Sequence, residues 1–163
     1  MSIYVFGYGS LINMEKNTEL NHSIRKSICP VTVKGLKRSL NVNGEHYRVF
    51  GVKDVKTALC NGLLFKVTER ELANLIEREK LYTLKPIKKD RIVFNYGKCL
   101  TFKPNDEVVC FYPMQKYVLT KHKLDTKPIN ETYLQICIDG SSKISNPFLD
   151  DFITPFNIYQ RSK

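Results

Sequence analysis

Apolar positions along this chain fall into short runs and alternations rather than long helical stripes. Ile3–Phe6, Val31–Leu40, Tyr47–Val52, Leu59–Val67, Ile87–Phe94 and Val108–Tyr112 read as strands. Turn formers separate them at Gly44, at Gly97 and at Pro104-Asn105-Asp106. Helical signals are fewer. Thr68-Glu69-Arg70-Glu71 is a capping box, with Thr68 as N-cap, and it predicts a helix from about Glu69 to about Lys80. A second helix is expected over about Glu131–Asp139, ended by Gly140. Asn146-Pro147 predicts a third, with Asn146 as N-cap and Pro147 at the first helical position. Residues 11–30 are polar and show no clear period. Many strands with few helices, spread through 163 residues, predict a single α+β domain.

Two places break the pattern. The first is Phe6-Gly7-Tyr8-Gly9-Ser10-Leu11, directly after the apolar run Ile3–Phe6. Glycine permits a sharp turn and lets a ligand approach bare N–H groups, and a strand ending in such a turn can aim several N–H groups at one anion. Gly-x-Gly is common, and a tight turn without a ligand is the simpler reading of the spacing alone. The second is Glu79. Leu72, Leu75 and Ile76 form the apolar stripe of the capping-box helix, and Glu79 occupies its next position, one face over Leu72. Glu77 points away and Glu71 lies to the side. A carboxylate on a core-facing stripe is costly unless paired or functional. The pattern fits equally a stripe-edge glutamate paired with a nearby lysine or arginine.

Composition narrows the classes. No apolar run approaches the length of a membrane span. The chain starts straight into a strand, without a basic segment followed by a long apolar one, which predicts a cytoplasmic protein. Cys29, Cys60, Cys99, Cys110 and Cys137 are odd in number and lack Cys-x-x-Cys spacing, so they predict free thiols rather than disulfides or a zinc site. The formal charge of +10 suits a nucleic-acid or membrane surface in principle. Its lysines are scattered, however, with mild clusters at Lys85, Lys88, Lys89 and Arg91 and at Lys116, Lys121, Lys123 and Lys127. A solvated surface is the expected outcome, with nucleic acid an improbable partner. Arg38 or Arg48 could pair with a carboxylate, but either is more simply a surface residue. His22, His46 and His122 sit in no recognisable base motif, so Ser10 is a poor candidate nucleophile.

Taken in order, Tyr8-Gly9-Ser10-Leu11, Gly62-Leu63-Leu64-Phe65-Lys66-Val67, Arg78-Glu79, Tyr82 and Asn130-Glu131-Thr132-Tyr133-Leu134 resemble the γ-glutamylcyclotransferase-like superfamily, over roughly residues 3 to 140. Arg78-Glu79-Lys80 looks like the ChaC branch, which acts on glutathione, although the chain has no tryptophan and lacks that branch's Trp-containing segments. Glutathione and other γ-glutamyl compounds both stay open as substrates. The resemblance implies a small mixed β-barrel flanked by helices. It implies an enzyme that cyclises a γ-glutamyl group to 5-oxoproline and releases an amine or peptide, with no metal and no organic cofactor. It makes Glu79 the catalytic acid–base group and Tyr8, Gly9, Ser10, Leu11 and Tyr133 the substrate-binding residues. An inward Glu79 would have its pKa raised by desolvation. Tyr82 is expected to pack the helix exit. Two other readings stand beside this one: a γ-glutamylamine cyclotransferase, and a non-catalytic module on the same fold that binds anions or nucleic acid. The oligomeric state is not legible.

Overall fold

The computed structural model describes residues 1–17 and 28–156. Its strands are β1 (Ile3–Gly7), β2 (Cys29–Asn43), β3 (Arg48–Val67), β4 (Tyr82–Ile87), β5 (Ile92–Val93) and β6 (Glu107–Pro113). They form one mixed sheet in the order β4-β6-β1-β3-β2-β5, with β1 and β6 parallel and the other pairs antiparallel. The helices are α1 (Glu69–Arg78), the single turn α2 (Lys121–Leu124), α3 (Glu131–Ile144) and α4 (Asn146–Ile153). The predicted α+β class is the observed one, and the barrel is realised as a curled half-barrel.

The curl follows from unequal strand lengths. β1 pairs only with the last residues of β3, Leu63 to Val67. The earlier half of β3 has no β1 beside it and, with β2, bends over the end of β1 toward β4 and β6. The Tyr82 hydroxyl donates to the Phe50 carbonyl (2.6 Å) and the Tyr112 hydroxyl to Asp54 Oδ1 (2.7 Å), which fixes the bend. Pairing between β2 and β3 slips twice, between Lys34 and Leu36 and between Ser39 and Val42. Such bulges increase local twist and bend a strand. At the first slip Gly35 alone stands opposite Val55–Ala58, so the two strands expected at Tyr47–Val52 and Leu59–Val67 are one strand with an irregular middle.

Alternation along the strands buries both faces. Val5, Phe65, Val67, Val109 and Phe111 pack with Leu75 of α1, whereas Phe6, Leu64, Leu36 and Phe50 pack with Phe148 and Phe152 of α4. The capping box forms as predicted: Thr68 Oγ1 accepts the Glu71 N–H (3.1 Å) and Glu71 Oε1 accepts the Thr68 N–H (2.9 Å). The predicted helix runs past the observed one, which ends at Arg78 with Glu79 as its C-cap. Its apolar stripe is also narrower, since Leu75 is fully buried but Ile76 is 48 % exposed.

Two further boundaries differ. α3 continues through Gly140, whose role is close approach, because a Cβ there would lie 2.8 Å from the backbone N and Cα of Asn13. α4 is capped by Ser145 rather than Asn146: its Oγ accepts the Phe148 N–H (3.1 Å). Among the described residues no helix is long and apolar enough to cross a membrane.

Candidate active site

The five predicted loop and helix positions and Glu79 converge on one cleft at the C-terminal end of β1. Tyr8, Gly9, Ser10, Leu11, Glu79 and Tyr133 line it, joined by Phe6, Phe50, Tyr82 and Phe111, around a cavity of about 40 Å³. That is more than the ~10–15 Å³ that one water requires.

The loop is built as a turn and then tied down. Ser10–Ile12 forms one 3-10 turn, in which Ile12 N–H donates to Gly9 O (3.0 Å) and Asn13 N–H to Ser10 O (3.0 Å). The N–H groups of Gly9, Ser10 and Leu11 take no part in those bonds. Gly9 has φ −125°, so its backbone is not left-handed. A Cβ on Gly9 would sit 3.3 Å from the Tyr133 hydroxyl and 3.4 Å from Phe50 Cβ. The Tyr8 hydroxyl donates to Phe111 O (2.6 Å), and the Leu11 side chain is buried beneath α1. Ser10 contributes its carbonyl, which also accepts from Asn17 Nδ2 (3.0 Å).

Asn17 links the loop to the helix end. It is buried, and its Oδ1 accepts from Arg78 Nη1 (2.5 Å). Arg78 is thereby a tie between α1 and the loop, while the next residue, Glu79, faces the cleft with its side chain 18 % exposed. Arg78 Nε also lies 3.8 Å from Glu79 Oε1. The Glu79 N–H still closes the helix onto Leu75 O (2.9 Å), and the Glu79 carbonyl accepts from Tyr82 N–H (3.1 Å), so the chain turns straight into β4. Glu79 is thus held from both sides of its own peptide units.

Three tyrosines surround this carboxylate. Burial pushes the hydroxyl pKa of Tyr8 well above its ordinary value, with Tyr82 adding to it. Burial and then the Glu79 charge do the same to Tyr82. Tyr133 is raised by burial and then by Cys137. All three therefore stay protonated across the neutral range. Tyr82 was expected only to pack the helix exit; it lines the cleft and holds Phe50. The two tyrosines on Phe50 act as a pair: Tyr82 donates to its carbonyl and Tyr133 accepts its N–H (3.1 Å), at the place where the β2–β3 pairing slips.

Arg38 is a second correction. It is 5 % exposed, not a surface residue, and burial lowers its pKa. Its Nη1 donates to Tyr8 O (3.2 Å) and Asn61 O (2.7 Å), and its Nη2 donates to Asn61 Oδ1 (2.8 Å). A sequence signal for it exists. Leu36, Arg38, Leu40 and Val42 alternate on one face of β2, and that face is the core. Phe50 carries no comparable signal. Of the histidines, His46 and His122 are exposed away from the cleft and His22 lies outside the described residues. Among the described residues no three His, Cys, Asp or Glu side chains converge as metal ligands, and the five cysteines are free.

No protein-family model and no curated protein matches this sequence. Solved structures do match it. YkqA from Bacillus subtilis superposes with a TM-score of 0.70 at 16% identity, covering 96% of this chain and 54% of that one, so this chain spans about half the length of YkqA. A γ-glutamyl cyclotransferase gives a TM-score of 0.64 at 16% identity over 93% of this chain and 86% of its own. A γ-glutamyl cyclotransferase from yeast specific to glutathione gives 0.56 at 12% identity over 98% and 99%. Identities this low carry architecture and not substrate. The chain has the γ-glutamylcyclotransferase-like fold that its ordered motifs led us to expect.

Proposed function

We propose that this chain is a γ-glutamyl cyclotransferase, acting on glutathione or another γ-glutamyl compound. The observation that carries the reading is the convergence of Glu79, the Tyr8–Leu11 loop and Tyr133 on one cleft, from three separate stretches of sequence. The fold shared with γ-glutamyl cyclotransferases supports it.

The reaction is intramolecular. The α-amine of the γ-glutamyl group attacks its own γ-carbonyl carbon, a C–N bond closes the five-membered ring, and the original γ C–N bond breaks. The products are 5-oxoproline and the free amine or peptide. An α-amine is mostly protonated at neutral pH and must lose a proton before it attacks. The Glu79 carboxylate takes that proton and returns one to the departing nitrogen, acting as base and then as acid. Loop N–H groups hold the substrate's α-carboxylate or the oxygen that becomes negative. The aromatic walls keep the glutamyl chain curled, which supplies the proximity the ring closure requires.

Incubation of the purified protein with a panel of γ-glutamyl compounds, following 5-oxoproline, tests this. The expected result is 5-oxoproline with stoichiometric release of the amine. Release of glutamate instead would mean that water attacks, and would overturn the mechanism. An N-acylated γ-glutamyl compound, whose amine is blocked, should not react.

A further inference from the structure

The carbonyl of Tyr8 and the N–H of Gly9 belong to one peptide unit, and the described chain contains no cis peptide. In a trans peptide the C=O and N–H point in opposite directions. Whatever fixes the Tyr8 carbonyl therefore also fixes the Gly9 N–H, and the group that fixes it is a buried cation on β2.

We infer that Arg38 is a positioning residue of this cleft: by holding the Tyr8 carbonyl from the core side it turns the Gly9 N–H outward, to bind the α-carboxylate of a γ-glutamyl ligand. The inference rests on the cyclotransferase reading for the identity of that ligand. Its geometry is independent of it. The guanidinium is gripped on three sides, by Tyr8 O, by the carbonyl and side-chain oxygens of Asn61, and by the Phe152 ring 4.0 Å from its Cζ. Asn61 is anchored in turn, since its Nδ2 donates to Phe148 O (2.9 Å). A rigid line thus runs from α4 through Asn61 and Arg38 to the loop. A charged donor on a carbonyl also polarises its peptide, so the Gly9 N–H becomes the stronger donor. Lysine at this place would keep the charge without the planar fork that spans Asn61 and Tyr8.

The test compares two ligands that differ by one carboxylate, 5-oxoproline and 2-pyrrolidinone, by NMR titration of the intact protein. In the parent protein the Gly9 amide resonance should move on adding 5-oxoproline and not on adding 2-pyrrolidinone. Arg38→Met should weaken 5-oxoproline by about tenfold or more, the scale of one charge-assisted hydrogen bond, and change 2-pyrrolidinone by less than about twofold. Arg38→Lys should fall between. Should Arg38→Met fail to fold, Arg38→Lys and the parent Gly9 resonance still decide.

Equal weakening of both ligands would make Arg38 a purely structural residue and overturn the inference while leaving the cyclotransferase reading intact. A Gly9 resonance indifferent to 5-oxoproline in a parent protein that binds it would overturn it as well. A parent protein that binds 5-oxoproline no better than 2-pyrrolidinone would overturn the inference, while 5-oxoproline formation from γ-glutamyl compounds decides the cyclotransferase reading separately.

Discussion

Two hollows share the first half of β3 as a wall. Phe50 lines the Glu79 cleft, and its neighbour Gly51 lines a second hollow on the outer side of the β2–β3 hairpin. The second is much larger, about 330 Å³ against about 40 Å³, and it carries Lys37, Lys53 and Lys85 in a chain of charge +10. Of these two, size and charge favour it. Its cations, however, are solvated rather than buried. The three lysines are exposed, and Lys37 and Lys53 stand directly opposite each other across the β2–β3 ladder. Like charges at that spacing are unfavourable, and solvent screening makes them tolerable. Asp54, its acid, is occupied by Tyr112 and Arg91. In the smaller hollow the tyrosines are hydrogen-bonded, and behind its wall Asn17, Arg78 and Arg38 brace the loop and helix end. The difference teaches that fixed orientation, more than volume or net charge, marks the candidate site.

The sharpest way to break the comparison is Glu79→Gln. The amide keeps the size and much of the hydrogen-bonding shape but cannot shuttle a proton. General acid–base groups contribute about a hundredfold to ten-thousandfold, so kcat should fall by that much with KM little changed. Thermal stability should be level or slightly higher, because a partly buried charge is removed. Glu77→Gln, on the exposed side of α1, is the control and should leave kcat alone. Unfolding of the Glu79 variant, or full activity from it, would make Glu79 a structural ion-pair partner of Arg78.

Gly9→Val comes next. A side chain there would crowd the Tyr133 hydroxyl and Phe50. Overpacking of this kind costs about 1–3 kcal/mol, which corresponds to roughly five- to hundredfold weaker ligand binding if the loop gives way. Isothermal titration with 5-oxoproline reads it, and parent-like affinity would reduce the loop to a turn. Tyr133→Phe should cost about tenfold in kcat/KM, the scale of one hydrogen bond, since it removes the acceptor for the Phe50 N–H. Burial holds the Tyr133 hydroxyl well above its ordinary pKa, so the parent loses no proton there between about pH 6 and pH 9. The pH–rate profile of Tyr133→Phe should therefore keep the parent's shape over that window. An altered alkaline limb would show that Tyr133 titrates during turnover.

The elements that build this cleft are legible in the sequence because they are local, and the roles of their residues come only from the resemblance of the ordered motifs. A strand running into Gly-x-Gly-Ser, a capping box and an acid one turn beyond an apolar stripe each report on neighbours within a few residues. What escaped depends on distant chain. β4 was missed because Tyr82–Ile87 contains Pro86, which a central strand rejects but an edge strand paired only to β6 accepts. Ile76 was placed in the core by helical period, yet α1 ends at Arg78 and only Leu75 lies fully beneath it. Tyr82 and Phe50 meet because β3 bends over β1, a consequence of unequal strand lengths that no local pattern records. Arg38 departs from the usual exposure of arginine, and its alternation with Leu36 and Leu40 is the local sign that it faces inward.

The smallest expected effect belongs to the lysines, and it tests the comparison from its other side. Replacing Lys37, Lys53 and Lys85 together by serine removes three positive charges from the larger hollow and alters no residue that lines the cleft. The Lys37–Lys53 repulsion disappears, so stability should hold or rise slightly. An effect on catalysis can come only through the long-range field that draws an anionic substrate, and at about 0.15 M salt the Debye length is about 8 Å. The variant's kcat/KM should therefore stay within about twofold of the parent at physiological salt, with kcat unchanged, and any deficit should appear only as salt is lowered. A loss of kcat that survives high salt would mean that the outer hollow is coupled to Glu79 through β3. Fixed orientation around the smaller cleft would then not suffice to mark the working part of the molecule.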